Sequence, residues 1–423
     1  MEQAAAGGGF DVDDGVVRPK GLSAFVAACI ASAAISALVV LLFSFTVDSL
    51  YELVLTSHWL ALTLPAMGLL AYAVYRLFKI PYGVSTPSVV ASVGEGHPVP
   101  VLLAPAIFIG SSLSIAGAGS VGKEAAALQI GAAIASKVSC VAKVAARLRE
   151  TVVLSGMAAA FSVLLGAPFA ATLFVFELVG FRGGTWFKAL MVLVSAVVAQ
   201  VLARSVQADR LETVMEWQAF SPAVSDMALL TVAIVVAAAV YCLGLKYGKR
   251  LTASIPGAPF TMIVVSGVAY AAVMLHFGYW DCIGTGMVQT KAALAGQIDD
   301  PLFMGKTLAT VVLLASGFKG GEIMPMLCIG ATLGSWFGWA TGLDPACCAA
   351  VSIVAFMAAC TNCPLASAVF AFELFGPGGL PWCMPVVLLA FALTARVSLY
   401  DNFRFAEVVK RGLRRLARLD AES

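Results

Sequence analysis

Charge is scarce in this chain. Asp, Glu, Lys and Arg make up 12% of its 423 residues, against about a quarter in an average soluble domain, while hydrophobic residues make up 61%. No soluble interior could hide that much apolar surface, which excludes a water-soluble globular fold. Histidine is rarer still: His58, His97 and His276 lie far apart and without ligand spacing, so no metal site is expected. They also lie outside the glycine- and proline-broken segments, and there is no aspartate pair of the kind intramembrane proteolysis needs. With no nucleophile and base to pair, an enzyme is not expected. Nor is any polar stretch long enough for a soluble domain, so the chain reads as one membrane unit. The first twenty residues, with Asp11, Asp13 and Asp14, carry no basic leader or small-residue cleavage site before Leu22, and no cleaved signal peptide is expected.

Long apolar runs are what the sequence does have: Leu22 to Phe45, Leu60 to Tyr75, Val152 to Phe176, Ala228 to Leu245 and Val386 to Leu393. A full span takes about 20 such residues, so the shorter runs, bounded by Gly or Pro, predict tilted, broken or re-entrant helices. The expected fold is an all-α polytopic membrane protein of well over ten helical segments. The ten cysteines, including the pair Cys360 and Cys363, fall mostly inside apolar segments and read as small helix-packing residues. Arg404, Lys410, Arg411, Arg414, Arg415 and Arg418 crowd the end of the chain. By the positive-inside rule that tail is cytoplasmic, as is a loop holding Lys246, Lys249 and Arg250. The net charge of +2 resides in the tail, where facing lipid suffices, and no nucleic-acid partner is expected.

Two stretches repeat about two hundred residues apart. APFAATLFVFELVG at Ala167 to Gly180 returns as CPLASAVFAFELFG at Cys363 to Gly376, and VGKEAAALQIGAAIAS at Val121 to Ser136 answers GGEIMPMLCIGATLGS at Gly320 to Ser335. YGVSTP at Tyr82 to Pro87 answers IGTGMV at Ile283 to Val288 more weakly. Order and spacing persist, so whole halves were duplicated. The expected organisation is a polar cytoplasmic segment at 1–20, a transmembrane domain at 21–402 with halves of about 21–205 and 222–402, and a basic cytoplasmic tail at 403–423. Both termini are then cytoplasmic. Internal repeats with Gly- and Pro-broken segments point to a transporter whose site lies where the halves meet.

One motif misleads. GAGSVGKE at Gly117 to Glu124 nearly satisfies a phosphate-binding loop, but Glu124 stands where a magnesium-binding hydroxyl belongs and would repel phosphate. No strand or later acidic partner makes up a dinucleotide fold, so no nucleotide is expected. A carboxylate in an apolar stretch costs about 2.5 to 3.5 kcal/mol at mid-membrane, so Glu124 must face protein or water. It follows the break at Gly122 and precedes a strong helix former, which places it at a helix N-terminus. The free amides there attract negative charge and can bind an anion, for which the side chain is a tethered competitor. Gly320, Gly321 and Pro325 make a second break with the same logic, Pro325 suiting the first turn of the helix MLCIGATLG. Gly83 to Pro87 is a third, where Ser85 and Thr86 add hydroxyl donors. Donors without a nearby cation fit a halide-like anion that must leave quickly.

With these breaks placed, the chain from about Leu22 to Tyr400 resembles the CLC family of anion channels and proton-coupled exchangers. GKEAAALQIGA is similar to the family's GREGPxxQxG, with Glu124 at the gating glutamate, Gln129, Ile130 and Gly131 continuing the match, and Ala125 and Ala126 departing from it. GVSTP is similar to GSGIP, which places Ser85 at the central anion-coordinating serine, and Tyr400 falls where the family keeps a second central hydroxyl. GGEIMP resembles the GGExxP of the bacterial fluoride/proton antiporter branch, where chloride members have GxFxP. The resemblance implies an inverted-repeat fold, a homodimer with a pore in each subunit, and no cofactor.

The expected gating and proton residues are therefore Glu124 and Glu322, and the anion-binding ones Ser85, Thr86, Ile323, Met324 and Tyr400. Glu322 reads equally as a helix cap or a proton relay, Thr86 as a local cap more than an anion ligand, and Tyr400 as an anion ligand more than an interfacial aromatic. Glu177 and Glu373 occupy matching places in the repeated FxFEL and read as carboxylates fixing helix ends. A second, proton-carrying glutamate of many chloride exchangers is replaced here by Leu178. The function expected is fluoride export in exchange for protons, with a chloride channel or chloride/proton exchanger, favoured by Ser85, as the alternative.

Overall fold

The computed structural model describes residues 19–180, 186–206, 215–255, 257 and 259–400. The acidic N-terminal stretch and the basic tail lie outside them. Eight helices form the first half: α1 (Pro19–Thr56), α2 (Leu64–Leu77), α3 (Thr86–Gly94), α4 (Leu103–Ala116), α5 (Glu124–Val141), α6 (Ala146–Leu165), α7 (Pro168–Val179) and α8 (Trp186–Ser205). Eight more follow in the same order: α9 (Val224–Ala253), α10 (Phe260–Phe277), α11 (Met287–Leu294), α12 (Leu302–Ala315), α13 (Ile323–Thr341), α14 (Pro345–Thr361), α15 (Pro364–Phe375) and α16 (Leu380–Thr394). Nine of the helical stretches among the described residues are long and apolar enough to cross a membrane. Large apolar side chains such as Leu38, Phe45, Leu62, Val236 and Val268 face outward, as a lipid-immersed surface requires.

Local chemistry sets the breaks. The apolar run from Val152 to Phe176 is not one span, because Gly166 leaves α6 in the left-handed region at φ +78° and Pro168 starts α7. Asn362, at φ +57°, and Pro364 do the same between α14 and α15. Within each half the helix after the Gly122 or Gly321 break packs tightly on the next. A Cβ on Gly131 of α5 would lie 2.3 Å from the carbonyl of Gly156 on α6, and one on Gly334 of α13 would lie 2.3 Å from that of Cys348 on α14. Such backbone approach is how apolar helices associate where water supplies no hydrophobic force. All ten cysteines are free and all but Cys140 are buried, in keeping with a packing role.

The halves meet through reciprocal contacts. Gly122 donates to the carbonyl of Gly321 at 2.7 Å, and Gly321 donates to that of Gly122 at 2.6 Å. Glu177 of α7 accepts from Leu365 and Ala366 at 3.1 and 2.7 Å, at the start of α15, while Glu373 of α15 accepts from Phe169 and Ala170 at 3.0 and 2.7 Å, at the start of α7. The two contacts are reciprocal, each carboxylate meeting the helix start that matches its own. Each carboxylate thus accepts from two N-terminal amides of the opposite half's helix, which lack partners within their own helix.

Candidate functional site

Helices α5 and α13 begin at the Gly122–Gly321 bridge, and the bridge fixes their register. In the repeated sequence Lys123 corresponds to Glu322, and Glu124 to Ile323, so the fold repeats here but the charges do not. The site therefore has two chemically different sides.

On one side, Glu124 is fully buried as the first residue of α5. Its Oε2 accepts from the backbone N–H of Lys123 at 3.1 Å, and its Oε1 has no hydrogen-bond partner. The Lys123 ammonium turns away to α1, where it pairs with Asp48 at 2.6 and 2.8 Å and donates to Ser44 at 2.7 Å. With the Lys123 ammonium already paired, the single backbone amide at the helix start and the positive end of the helix are what hold the carboxylate.

On the other side, Glu322 precedes α13 but does not cap it. No amide of that helix bonds its side chain, which overturns the capping alternative. Tyr400 instead donates to Oε1 at 2.7 Å, Thr86 donates to Oε2 at a long 3.5 Å, and Tyr241 donates to the Glu322 carbonyl at 2.8 Å. Thr86 in turn accepts from the Gln129 amide at 3.0 Å. Its hydroxyl serves this chain and not its own helix start, because it is buried against α5 and the second break. Tyr400 is 1% exposed, which rules out an interfacial belt position.

A cavity of about 500 Å³ leads to Glu322, Thr86 and Gln129. Gly83, Ser85 and Gly320 also line it, and Lys249 and Thr252 stand in its wall near the end of α9. Ser85 precedes α3 in extended conformation, and Ser88 closes that turn by accepting from the Ser85 amide at 2.9 Å. Pro87 lies in the first turn of α3. Ile323, Met324 and Pro325 are fully buried in the first turn of α13, and neither they nor Glu124 belong to the cavity wall.

One expectation is corrected. The third break is not free of cations: Lys319 lines the cavity, its ammonium donating to the Tyr82 carbonyl and lying 3.9 and 4.6 Å from the ring centroids of Tyr82 and Tyr75. Lys319 is distant in sequence from Tyr82, and only the fold brings them together. Tyr241 was equally silent in the sequence. Gln129 had a signal, as an amide inside an Ala- and Ile-rich helix that needs partners when buried.

Residues 67–395 match the family model described as voltage gated chloride channel. The chain is 27% identical over 360 residues, 82% of its length and 79% of the relative's, to a chloride/fluoride channel protein of Pseudomonas syringae pv. tomato. It is 24% identical over 300 residues, 69% of its length and 74% of the relative's, to an uncharacterized protein of Methanocaldococcus jannaschii. Among solved structures, a CLC-type fluoride/proton antiporter superposes with a TM-score of 0.83 at 23% identity, covering 92% of this chain and 99% of that one. A slow cyanobacterial Cl⁻/H⁺ antiporter gives 0.75 at 17% identity, covering 94% and 99%.

Proposed function

Because the chain belongs to the voltage gated chloride channel family, whose members are membrane channels and transporters and not enzymes, we propose that it exports fluoride in exchange for protons. The observation that carries this reading is a second carboxylate, Glu322, in the cavity wall and hydrogen-bonded by the Tyr400 hydroxyl. A permanently negative group there would repel any anion, so its presence fits a site where proton uptake and anion passage are linked.

The linkage is competition for the same donors. Deprotonated Glu124 holds the amides at the start of α5, and protonation removes the charge that keeps it there. Those amides, with the neighbouring helix start of α13, are then free for the anion. Deprotonated Glu322 accepts from Tyr400 and Thr86, the hydroxyls an entering anion needs. Protonated, it becomes a donor itself. Fluoride, as the halide that accepts hydrogen bonds most strongly, gains most from that change. Proton and anion thus raise each other's affinity at one place.

The positive-inside rule puts the end of α9, with Lys246, Lys249 and Arg250, in the cytoplasm, so the cavity opens to the side from which fluoride must leave. Both termini are assigned to that side, and a two-fold between the halves lies in the membrane plane, inverting one half relative to the other. The working unit is a homodimer. GGEIMP supports fluoride, as do a relative and a structural neighbour described as handling it. Ser85, half-buried in the cavity wall, favours chloride as the second reading.

Purified protein in liposomes decides between them. An imposed fluoride gradient that drives protons uphill, with no such movement under a chloride gradient, establishes the proposal. Chloride flux of equal rate without proton movement overturns it.

A further inference from the structure

Lys319 is 8% exposed, and no carboxylate pairs with its ammonium among the described residues, where the ion pairs are Lys123 with Asp48 and His97 with Glu95. An ammonium has three donors. The Tyr82 carbonyl takes one, and the faces of Tyr75 and Tyr82 offer diffuse negative potential rather than a counterion. A buried cation without a paired anion is costly, and a fold keeps one only where something repays it.

A purely mechanical role does not need the charge. Tyr82 is already tied to the second break by its own hydroxyl, which donates to the Gly317 carbonyl at 2.8 Å. In the repeat alignment that matches Gly122 with Gly321, Lys319 corresponds to Ser120, a neutral residue hydrogen-bonded to Thr310 at 2.9 Å. The same backbone break is therefore built without a cation in the other half. The charge belongs to the half whose break faces the cavity. Lys249, exposed on α9, stands in the wall of the same cavity. Two cations, exposed Lys249 and buried Lys319, thus stand in the wall of the cavity that also holds Glu322.

We propose that Lys319 is an anion-recruiting subsite. A small monovalent inorganic anion entering the cavity becomes the counterion that Lys319 lacks, and waits there before it contends with Glu322 for the Tyr400 and Thr86 hydroxyls. The aromatic faces keep the ammonium from binding too tightly: the cation draws anions without clamping one, so the ion passes on. The electric field of two lysines in a low-dielectric wall raises the local anion concentration. This rests on the reading of the chain as an anion transporter, but not on fluoride over chloride.

The test is the concentration dependence of initial flux through the full chain in liposomes, with potassium fluoride as the probe and potassium chloride in parallel. For Lys319→Gln the half-saturating concentration rises about tenfold while the maximal rate stays within twofold. Lys319→Arg keeps the wild-type value within about threefold, and Lys249→Gln, an exposed change with no bearing on folding, shifts half-saturation two- to threefold in the same direction. Raising ionic strength with an impermeant salt weakens wild-type recruitment and barely alters Lys319→Gln. An unchanged half-saturation in Lys319→Gln, or a loss confined to its maximal rate, overturns the proposal and leaves anion transport standing. If Lys319→Gln does not fold, an unshifted Lys249→Gln combined with a salt-insensitive wild type overturns it instead. Wild-type protein that moves neither anion brings down the transport reading itself.

Discussion

Tyr400 donates a 2.7 Å hydrogen bond to the carboxylate of Glu322, 78 residues earlier in the chain, and both residues are buried. The pair joins a residue beyond the last helix to the break between α12 and α13, and it sets which acceptor the hydroxyl serves while the site is empty of anion. A hydrogen bond to a charged group contributes about 1.5 to 3 kcal/mol. Tyr400→Phe keeps the ring and removes only this bond, so fluoride flux should fall at least tenfold with the protein still folded. Flux equal to wild type would show that the hydroxyl takes no part in transport.

Glu124→Gln removes the proton-binding group and keeps the shape. On the mechanism proposed above, protonation releases the side chain from the helix start, so flux should rise as pH falls. The variant should move fluoride at a rate independent of pH and carry no protons with it. A pH-sensor dye in the liposome lumen reads both; persistent proton uptake would mean that the exchanged proton travels elsewhere.

Glu322→Gln tests the second carboxylate. An amide cannot release the proton that makes it a donor, so exchange should stop or slow by about two orders of magnitude, with no leak of either ion. Proton-coupled flux close to wild type would rule out a proton-carrying role at Glu322.

Glu177 and Glu373 make a different prediction, because each supplies two amides at a helix start of the opposite half. Replacing either by Gln leaves one acceptor oxygen, with a cost of about 1 to 2 kcal/mol that is larger for fully buried Glu177 than for half-buried Glu373. Thermal unfolding in detergent should shift down for both, with flux per folded protein unchanged. A transport defect without a stability loss would refute the capping account.

Gly122 and Gly83 look alike in the sequence as glycines at breaks, yet they should respond in opposite ways to alanine. A Cβ on Gly122 would lie 2.6 Å from Pro325 Cδ and 2.9 Å from the Gly321 carbonyl, prising open the bridge at a cost of about 1 to 3 kcal/mol. A Cβ on Gly83 meets nothing within 4 Å. Gly122→Ala should therefore lose folded protein on size-exclusion chromatography, and Gly83→Ala should not.

The helices and their breaks were legible because their causes are local. A glycine or proline acts on its own backbone, and a duplicated segment repeats its own periodicity, so the starts of α5 and α13 and the matched FxFEL elements stand out in one dimension. The same locality misled at Val152 to Phe176, where unbroken hydropathy hid the turn at Gly166. It misled again at Thr86, which as a hydroxyl at a helix start reads as a cap but bonds Glu322, 236 residues away.

The sequence alone thus determined a duplicated, apolar, all-helical chain, the places where its helices break, and the carboxylates that stand at two of those breaks. Only the tertiary structure decided what each carboxylate meets: Glu124 an amide and an empty lone pair, Glu322 two hydroxyls, Lys123 an aspartate, Lys319 two aromatic rings. Breaking a helix takes one residue, whereas satisfying a buried charge takes partners, and which partners are within reach depends on how distant helices pack.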